Sequence, residues 1–141
     1  MRQKTNYSER PAEHEVRDCG DGTSVVLFRE NIEEIETESG VSYETDEYCL
    51  VVLASYDLEA RVEANLSAWK ERAKQQDYDR AAKAVRAERD LLIQKTDYLM
   101  ESDYPITEER RQAVAAYRQA LRDVPQQSGF PYDVEFPVKD F

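Results

Sequence analysis

No glycine or proline interrupts the 64 residues from Val41 to Tyr104, whereas both flanks are punctuated: Pro11, Gly20, Gly22 and Gly40 come before, and Pro105, Pro125, Gly129, Pro131 and Pro137 after. Gly and Pro are the strongest local breakers of regular structure. The middle of the chain is therefore free to build long elements, and the period of its apolar residues decides which kind. The two ends must turn.

Up to about residue 55 the period is that of strands. Residues 1–13 are polar and read as loose. Cys19-Gly20-Asp21-Gly22 is a turn signal, because Asp-Gly tolerates the positive φ of tight hairpins. Thr23 to Phe28 and Val41 to Leu53 are rich in Val, Tyr and Thr, which favour a pleated, half-buried surface. Glu38-Ser39-Gly40 offers a second turn, and Ile32, Ile35 and Val41 lie among acidic residues, so that stretch faces water on at least one side. Antiparallel pairing follows, as a meander of three or four strands.

After Ser55 the period changes to that of helices. Asp57 is placed to cap a helix, with Glu59 beside the positive end of its dipole. Leu58, Val62, Leu66, Trp69 and Ala73 recur at steps of three and four, an amphipathic stripe. Gln75-Gln76-Asp77 interrupts it, and Tyr78, Ala81, Val85 and Leu92 resume it, with Asp79/Lys83 and Arg86/Asp90 spaced for pairing. One helix to about residue 95 would be roughly 55 Å long, so a kink near Gln76 or a projecting helix is expected. Thr107 is a good N-cap, followed by Glu108 and Glu109. Ala113, Val114, Tyr117, Ala120, Leu121 and Val124 form the stripe of a second helix that ends at Pro125. The fold class is thus α+β: an N-terminal antiparallel β-meander, a long helix, an antiparallel second helix and an extended C-terminal segment. The division expected is 1–55, β-rich, and 56–141, a helical hairpin with an aromatic and proline-containing tail.

Charge narrows the partners. With 30 acidic and 19 basic residues the net charge is −11. The acidity is uneven: residues 1–70 carry 7 basic and 16 acidic side chains, net −9, and residues 71–141 carry 12 and 14, net −2. Nucleic-acid binders gain affinity by releasing counterions through clustered Lys and Arg, and anionic membranes select the same residues. Here no basic run exceeds two residues, so neither nucleic acid nor membrane is an expected partner. No apolar run approaches the roughly 20 residues of a membrane span. The opening Met-Arg-Gln-Lys-Thr-Asn has no apolar core behind it and does not read as a secretory signal. Two cysteines are too few for a disulfide scaffold, and a reducing cytoplasm is the expected compartment.

Catalytic constellations are hard to assemble. His14 is the sole histidine, in a charged Ala-Glu-His-Glu context, and reads as a solvated surface residue. Cys19 and Cys49 lack the spacing and histidine partners that zinc requires, and Cys49 reads as a small core residue. The run Glu30, Glu33, Glu34, Glu36, Glu38 lacks the position pattern and glycine turn of a calcium loop; it reads as a solvated strand face, or as a negative docking surface for a basic partner. Asn65-Leu66-Ser67 matches a glycosylation sequon but falls inside the expected helix. Neither a phosphate-binding glycine loop nor a dinucleotide fingerprint is present. The expectation is no catalytic residue, no metal and no cofactor. The tail differs: Phe130, Tyr132, Phe136 and Phe141 lie among prolines with little local structure to bury them, so they pack on the helices or on another chain.

The C-terminal half carries a set of phrases: Arg89-Asp90-Leu91-Leu92, Thr96-Asp97-Tyr98, Asp103-Tyr104-Pro105-Ile106-Thr107-Glu108-Glu109-Arg110, Ala116-Tyr117-Arg118-Gln119-Ala120-Leu121-Arg122-Asp123-Val124-Pro125, Ser128-Gly129-Phe130-Pro131 and Val134-Glu135-Phe136-Pro137. Over about residues 85–138 this resembles the phage tail assembly chaperone family, which includes tail fibre assembly proteins. Tyr98 and Val114 stand where that pattern has Trp, and both keep an apolar body. The resemblance implies a non-enzymatic role in the host bacterium's cytoplasm, assisting a phage tail or tail-fibre protein, and leaves homo-oligomerisation open. Tyr117, Arg118 and Arg122 on the second helix, and Phe130, Pro131, Tyr132 and Phe136 in the tail, are the residues expected to meet that partner. Arg89 and Asp90 are expected to bridge to Asp123 and Arg122 across the hairpin, with Phe130 over its core. The alternatives are a structural tail-associated virion component and, more distantly, a small acidic inhibitor of a host protein.

Overall fold

The computed structural model describes residues 3–38 and 40–141. Four strands, β1 (Gln3–Tyr7), β2 (His14–Asp18), β3 (Thr23–Thr37) and β4 (Gly40–Leu53), precede the helices α1 (Leu58–Ala64), α2 (Leu66–Gln94) and α3 (Glu108–Asp123). Short 3-10 turns occupy Asp97–Met100 and Val124–Gln126. The chain forms two compact units, Met1–Tyr78 and Asp79–Phe141, dividing within α2. This is the α+β class expected.

In the first unit the sheet order is β1-β4-β3-β2, all antiparallel. β2, β3 and β4 form a meander, and β1 adds to it beside β4. The β2–β3 turn uses Gly20 and Gly22 at positive φ, and Asp21 accepts from the Thr23 backbone N–H at 3.0 Å. The β3–β4 hairpin pairs Thr37 with Gly40, while Ser39 of the expected Glu38-Ser39-Gly40 turn lies outside the described residues. A bulge between Glu30 and Glu33 sets Asn31 at φ 51°. One face of the sheet supplies Val26, Phe28 and Leu50, with Val16, Tyr48 and Val52 around them. Against these pack Leu58, Val62 and Ala73, with Leu66 and Trp69 at the margin. The stripe read from the sequence is the face that is buried, and burying each large side chain contributes about 1.5–3 kcal/mol.

Several expectations are corrected. The N-terminal residues are not loose throughout: Gln3–Tyr7 is an edge strand, registered from Gln3↔Glu47 to Tyr7↔Tyr43. Its polarity suits an edge, where only one side of the backbone needs a partner. The helical break falls at Asn65 rather than near Gln76, and α2 runs through Gln75-Gln76-Asp77 uninterrupted. Gln and Asp are tolerable inside a helix, whereas Asn65 adopts φ −148°, ψ 56° and ends α1. The sequon therefore begins at that break and not within a helix. Asp57 does not cap α1 with its side chain; its carboxylate accepts from the Ser55 hydroxyl and pairs with Arg61 at 3.7 Å. Cys49 is half-buried on the opposite sheet face from the core cluster, because its register partner is Leu27 and not a core residue.

The second face carries a buried cation. Arg29, only 3% exposed, donates from Nε to Glu47 at 2.8 Å and to the Tyr7 hydroxyl at 3.1 Å, from Nη2 to Glu15 at 2.8 Å and from Nη1 to the Ala12 carbonyl at 3.1 Å. One side chain thus ties together all four strands. A buried charge is tolerated only when paired and hydrogen-bonded, and this one is. Burial pulls the Arg29 guanidinium down, but its bonds to Glu15, Tyr7 and Glu47 outweigh that and hold it above its ordinary value. Burial likewise pushes Glu47 up, and donors from Tyr7, Arg29 and Thr5 bring it below the usual carboxylate range. Glu15 is lowered by Arg29 first and Arg17 second.

The sign of the pH dependence follows. A carboxylate whose folded pKa lies below its unfolded one contributes stability that is complete above the unfolded value, about 4.3 for Glu, and is lost as pH falls through the folded value. Glu47→Gln is therefore expected to lower the melting temperature at neutral pH and to flatten its fall under acid. Melting curves of both proteins from neutral pH down through the carboxylate range check this. Parallel acid limbs would show that the Arg29 cluster does not govern acid stability.

Candidate partner-binding site

In the second unit, α3 begins where the sequence expects. The Thr107 side chain accepts from the Arg110 backbone N–H at 3.2 Å, satisfying one of the orphan amides of the first turn. Its apolar face buries Val114, Tyr117 and Leu121, continued by Val124 in the following turn. Ala120, expected on that stripe, is exposed.

Two arginines of α3 hold the connection from α2. Arg118 donates from Nη1 to the Ile93 carbonyl at 3.2 Å, to Thr96 Oγ1 at 3.0 Å and to Asp97 Oδ1 at 2.7 Å. Thr96 in turn donates to the Ile93 carbonyl at 2.7 Å and is buried. The last carbonyls of a helix lack intrahelical partners, and a cation is favoured there by the dipole. The Ile93 carbonyl accepts from the Thr96 N–H at 2.9 Å, and Arg118 adds the cation from another helix. Arg111, two turns earlier, reaches the carbonyls of Glu101 at 3.3 Å and of Leu99 and Tyr104 at 3.5 Å. The sequence reading missed Arg111, although its i, i+7 spacing to Arg118 places both on one helix face. Tyr98 and Tyr104 stack edge to face in the same connection, 5.1 Å between centroids.

The tail folds back. Tyr132 and Asp133 backbone N–H groups donate to the Gly129 carbonyl at 2.9 and 2.8 Å. A Cβ on Gly129 would sit 2.0 Å from the Asp133 carbonyl oxygen, so the turn requires glycine. The Gln127 amide binds the Glu135 backbone twice, donating to its carbonyl at 2.7 Å and accepting from its N–H at 2.8 Å. Arg86 of α2 lies over the Phe130 ring, 5.2 Å from its centroid. Phe141 packs edge to face on Tyr117 at 5.3 Å, and Lys139 lies over Phe141 at 5.2 Å.

The seven residues singled out from the sequence fall into two groups. Tyr117 (8% exposed), Arg118 and buried Pro131 sit inside the unit. Phe130 and Phe136 are half-buried, while Arg122 and Tyr132 are exposed. The bridges expected from Arg89 and Asp90 to Asp123 and Arg122 do not form. Arg89 pairs with its neighbour Asp90 at 2.7 Å, and Asp123 accepts from Gln119 at 3.0 Å and Gln126 at 3.2 Å. Partners one to four residues away cost less ordering entropy than a bridge between helices. Arg86, expected to pair with Asp90, is over Phe130 instead.

Among the described residues no three His, Cys, Asp or Glu side chains gather so as to hold a metal ion, and no helix is long and apolar enough to cross a membrane. What the unit offers is a rigidly turned helical hairpin, with a tail that presents aromatic and cationic side chains.

This is an α+β protein whose second compact unit is a helical hairpin with a folded-back tail. Residues 82–139 match the family described as phage tail assembly chaperone protein. No curated protein and no solved structure matches the chain.

Two substitutions test the architecture of this unit. Gly129→Ala should destabilise it by about 1–3 kcal/mol, the usual range for overpacking, and speed proteolysis of residues 127–141. Arg118→Met keeps the apolar stem but removes the cation shared by the Ile93 carbonyl, Thr96 Oγ1 and Asp97, while the Thr96 N–H and hydroxyl keep their bonds to Ile93; a loss of about 0.5–1.5 kcal/mol is expected. Denaturant melts report both, and wild-type midpoints would contradict the roles assigned.

Proposed function

We propose that the protein is a non-enzymatic phage tail assembly chaperone that acts through protein–protein contacts in the cytoplasm of the host bacterium, with a phage tail or tail-fibre protein as its client. The observation that carries this reading is the family match over 82–139, which falls within one compact unit, Asp79–Phe141. The chemistry of that unit agrees with the reading. Its buried polar groups are spent on the helix connection and tail turn, and its outward groups are the Tyr and Arg types that dominate binding hot spots.

In this reading the seven residues divide the work. Tyr117, Arg118 and Pro131 shape the surface from beneath. Arg122, Tyr132, Phe130 and Phe136 present it. The half-buried rings lose little freedom on binding, which keeps the ordering cost of association low.

Co-expression with the tail protein of the same phage is expected to raise that protein's soluble yield severalfold. Arg122→Glu should remove the gain while melting like wild type, since that side chain is exposed. An unchanged yield with wild type contradicts the reading. Stoichiometric recovery of the chain in purified particles identifies a structural tail component instead.

A further inference from the structure

Near the β2–β3 turn the sheet of the first unit carries apolar residues on both faces, while the middle of the second face holds the Arg29 cluster. Leu50, Val26 and Phe28 point into the core cluster. β4 alternates without a bulge on its own strand, so Cys49, Val51 and Leu53 share the opposite face, registered against Leu27, Val25 and Thr23. Val51 is 55% exposed and Leu53 81%. An antiparallel sheet solvated on one side alternates apolar with polar residues, whereas near-continuous apolar runs belong to strands covered on both sides. Val25 to Phe28 and Cys49 to Leu53 are runs of the second kind. Arg17 of β2, registered against Val25, borders these apolar residues; exposed apolar side chains grouped in this way mark an interaction surface.

The same face becomes acidic further along. Beyond the bulge, Glu34 and Glu36 lie opposite Tyr43 and Val41 on it. Of the eight Asp or Glu in residues 30–47 (30, 33, 34, 36, 38, 44, 46, 47), Glu34, Glu36 and Glu47 fall on this face, Glu47 being tied to Arg29, while Glu30, Glu33, Glu44 and Asp46 fall on the other. Residues 35–38 and 40–42 of the hairpin extend past both flanking strands, since β1 pairing ends at Tyr43 and β2 pairing ends at Phe28.

We propose that this second sheet face is a docking surface for a protein segment that carries apolar side chains at one end and Lys or Arg at the other. Charge complementarity selects that occupant. A second copy of the chain would bring a net charge of −11 and the same carboxylates against the ribbon, and like charges brought together cost association. A basic segment would gain both apolar burial at Val51 and Leu53 and attraction at Glu34 and Glu36. The surface lies outside residues 82–139 and is independent of the contacts proposed for the second unit.

The test uses a synthetic peptide of twelve residues, roughly 40 Å when extended. Thr alternates with three Val and then three Lys, so Val and Lys project from one side; the control peptide has Glu in place of Lys. Fluorescence anisotropy should show the Lys peptide binding, more weakly at high salt, and the Glu peptide binding at least about tenfold more weakly. Val51→Lys/Leu53→Lys should cost about tenfold or more, and the milder Val51→Thr/Leu53→Thr, which keeps strand propensity, should give an intermediate loss. Cys49 supplies a readout on the native face: in a Cys19→Ser protein, bound Lys peptide should slow its alkylation. Equal binding of the two peptides, or unchanged Cys49 labelling, overturns the proposal. So does a wild-type dimer in sedimentation that Val51→Lys/Leu53→Lys makes monomeric, since the face would then belong to a second copy. None of these outcomes depends on whether the second unit assists a tail protein.

Discussion

The helical hairpin depends on one guanidinium. Arg118 satisfies the end of α2 from the middle of α3, meeting the Ile93 carbonyl, the buried Thr96 hydroxyl and the Asp97 carboxylate together. The last turn also closes on itself through the Lys95 and Thr96 N–H groups, and Arg118 ties that closed end to α3. With Arg111 gripping the next carbonyls, the loop between the helices has few alternatives. Val114, Tyr117 and Leu121 are then presented as a single face for the tail to fold against, with Phe141 on Tyr117 as its outermost contact.

The first unit uses the same device in a different setting. Arg29 is buried at the meeting of four strands, and each of its three nitrogens has an acceptor. Both units therefore spend an arginine as an internal joint, since its planar fork of donors can serve several acceptors at once where lysine's point charge cannot. This matters for function: the cations that a motif brings to notice need not be the ones that meet a partner. Arg118 is committed inward, whereas Arg122, one turn later, is exposed.

Much of the architecture was legible because it rests on local rules. The apolar period of Leu58, Val62 and Ala73, the Thr107 cap and the Pro125 stop are decided within a turn or two of chain, and each appears where expected. What could not be read depends on distant partners. β1 is polar and becomes a strand only because β4 offers an edge. Asn65 breaks the helix and Gln76, where a kink was one of two outcomes expected, does not, since several residue types are equally weak helix formers and tertiary packing chooses among them. Arg118 looked like a surface contact because its acceptors, Ile93, Thr96 and Asp97, lie more than twenty residues away. The meaning of Gly129 was also hidden. Its φ is ordinary, and only the approach of the Asp133 carbonyl shows why a side chain is excluded.

On the proposed reading, this chain works by presenting surface to another polypeptide, through the hairpin's outer side chains. Hydrogen exchange of the purified protein, alone and mixed with the proposed tail-protein client, tests that most directly. The account predicts new protection in the tail peptides around Tyr132 and Phe136 and at the end of α3 around Arg122, with the helix connection at Ile93 to Asp97 already protected in the free protein. Identical exchange with and without the client, or a connection that exchanges freely in the isolated chain, would contradict it.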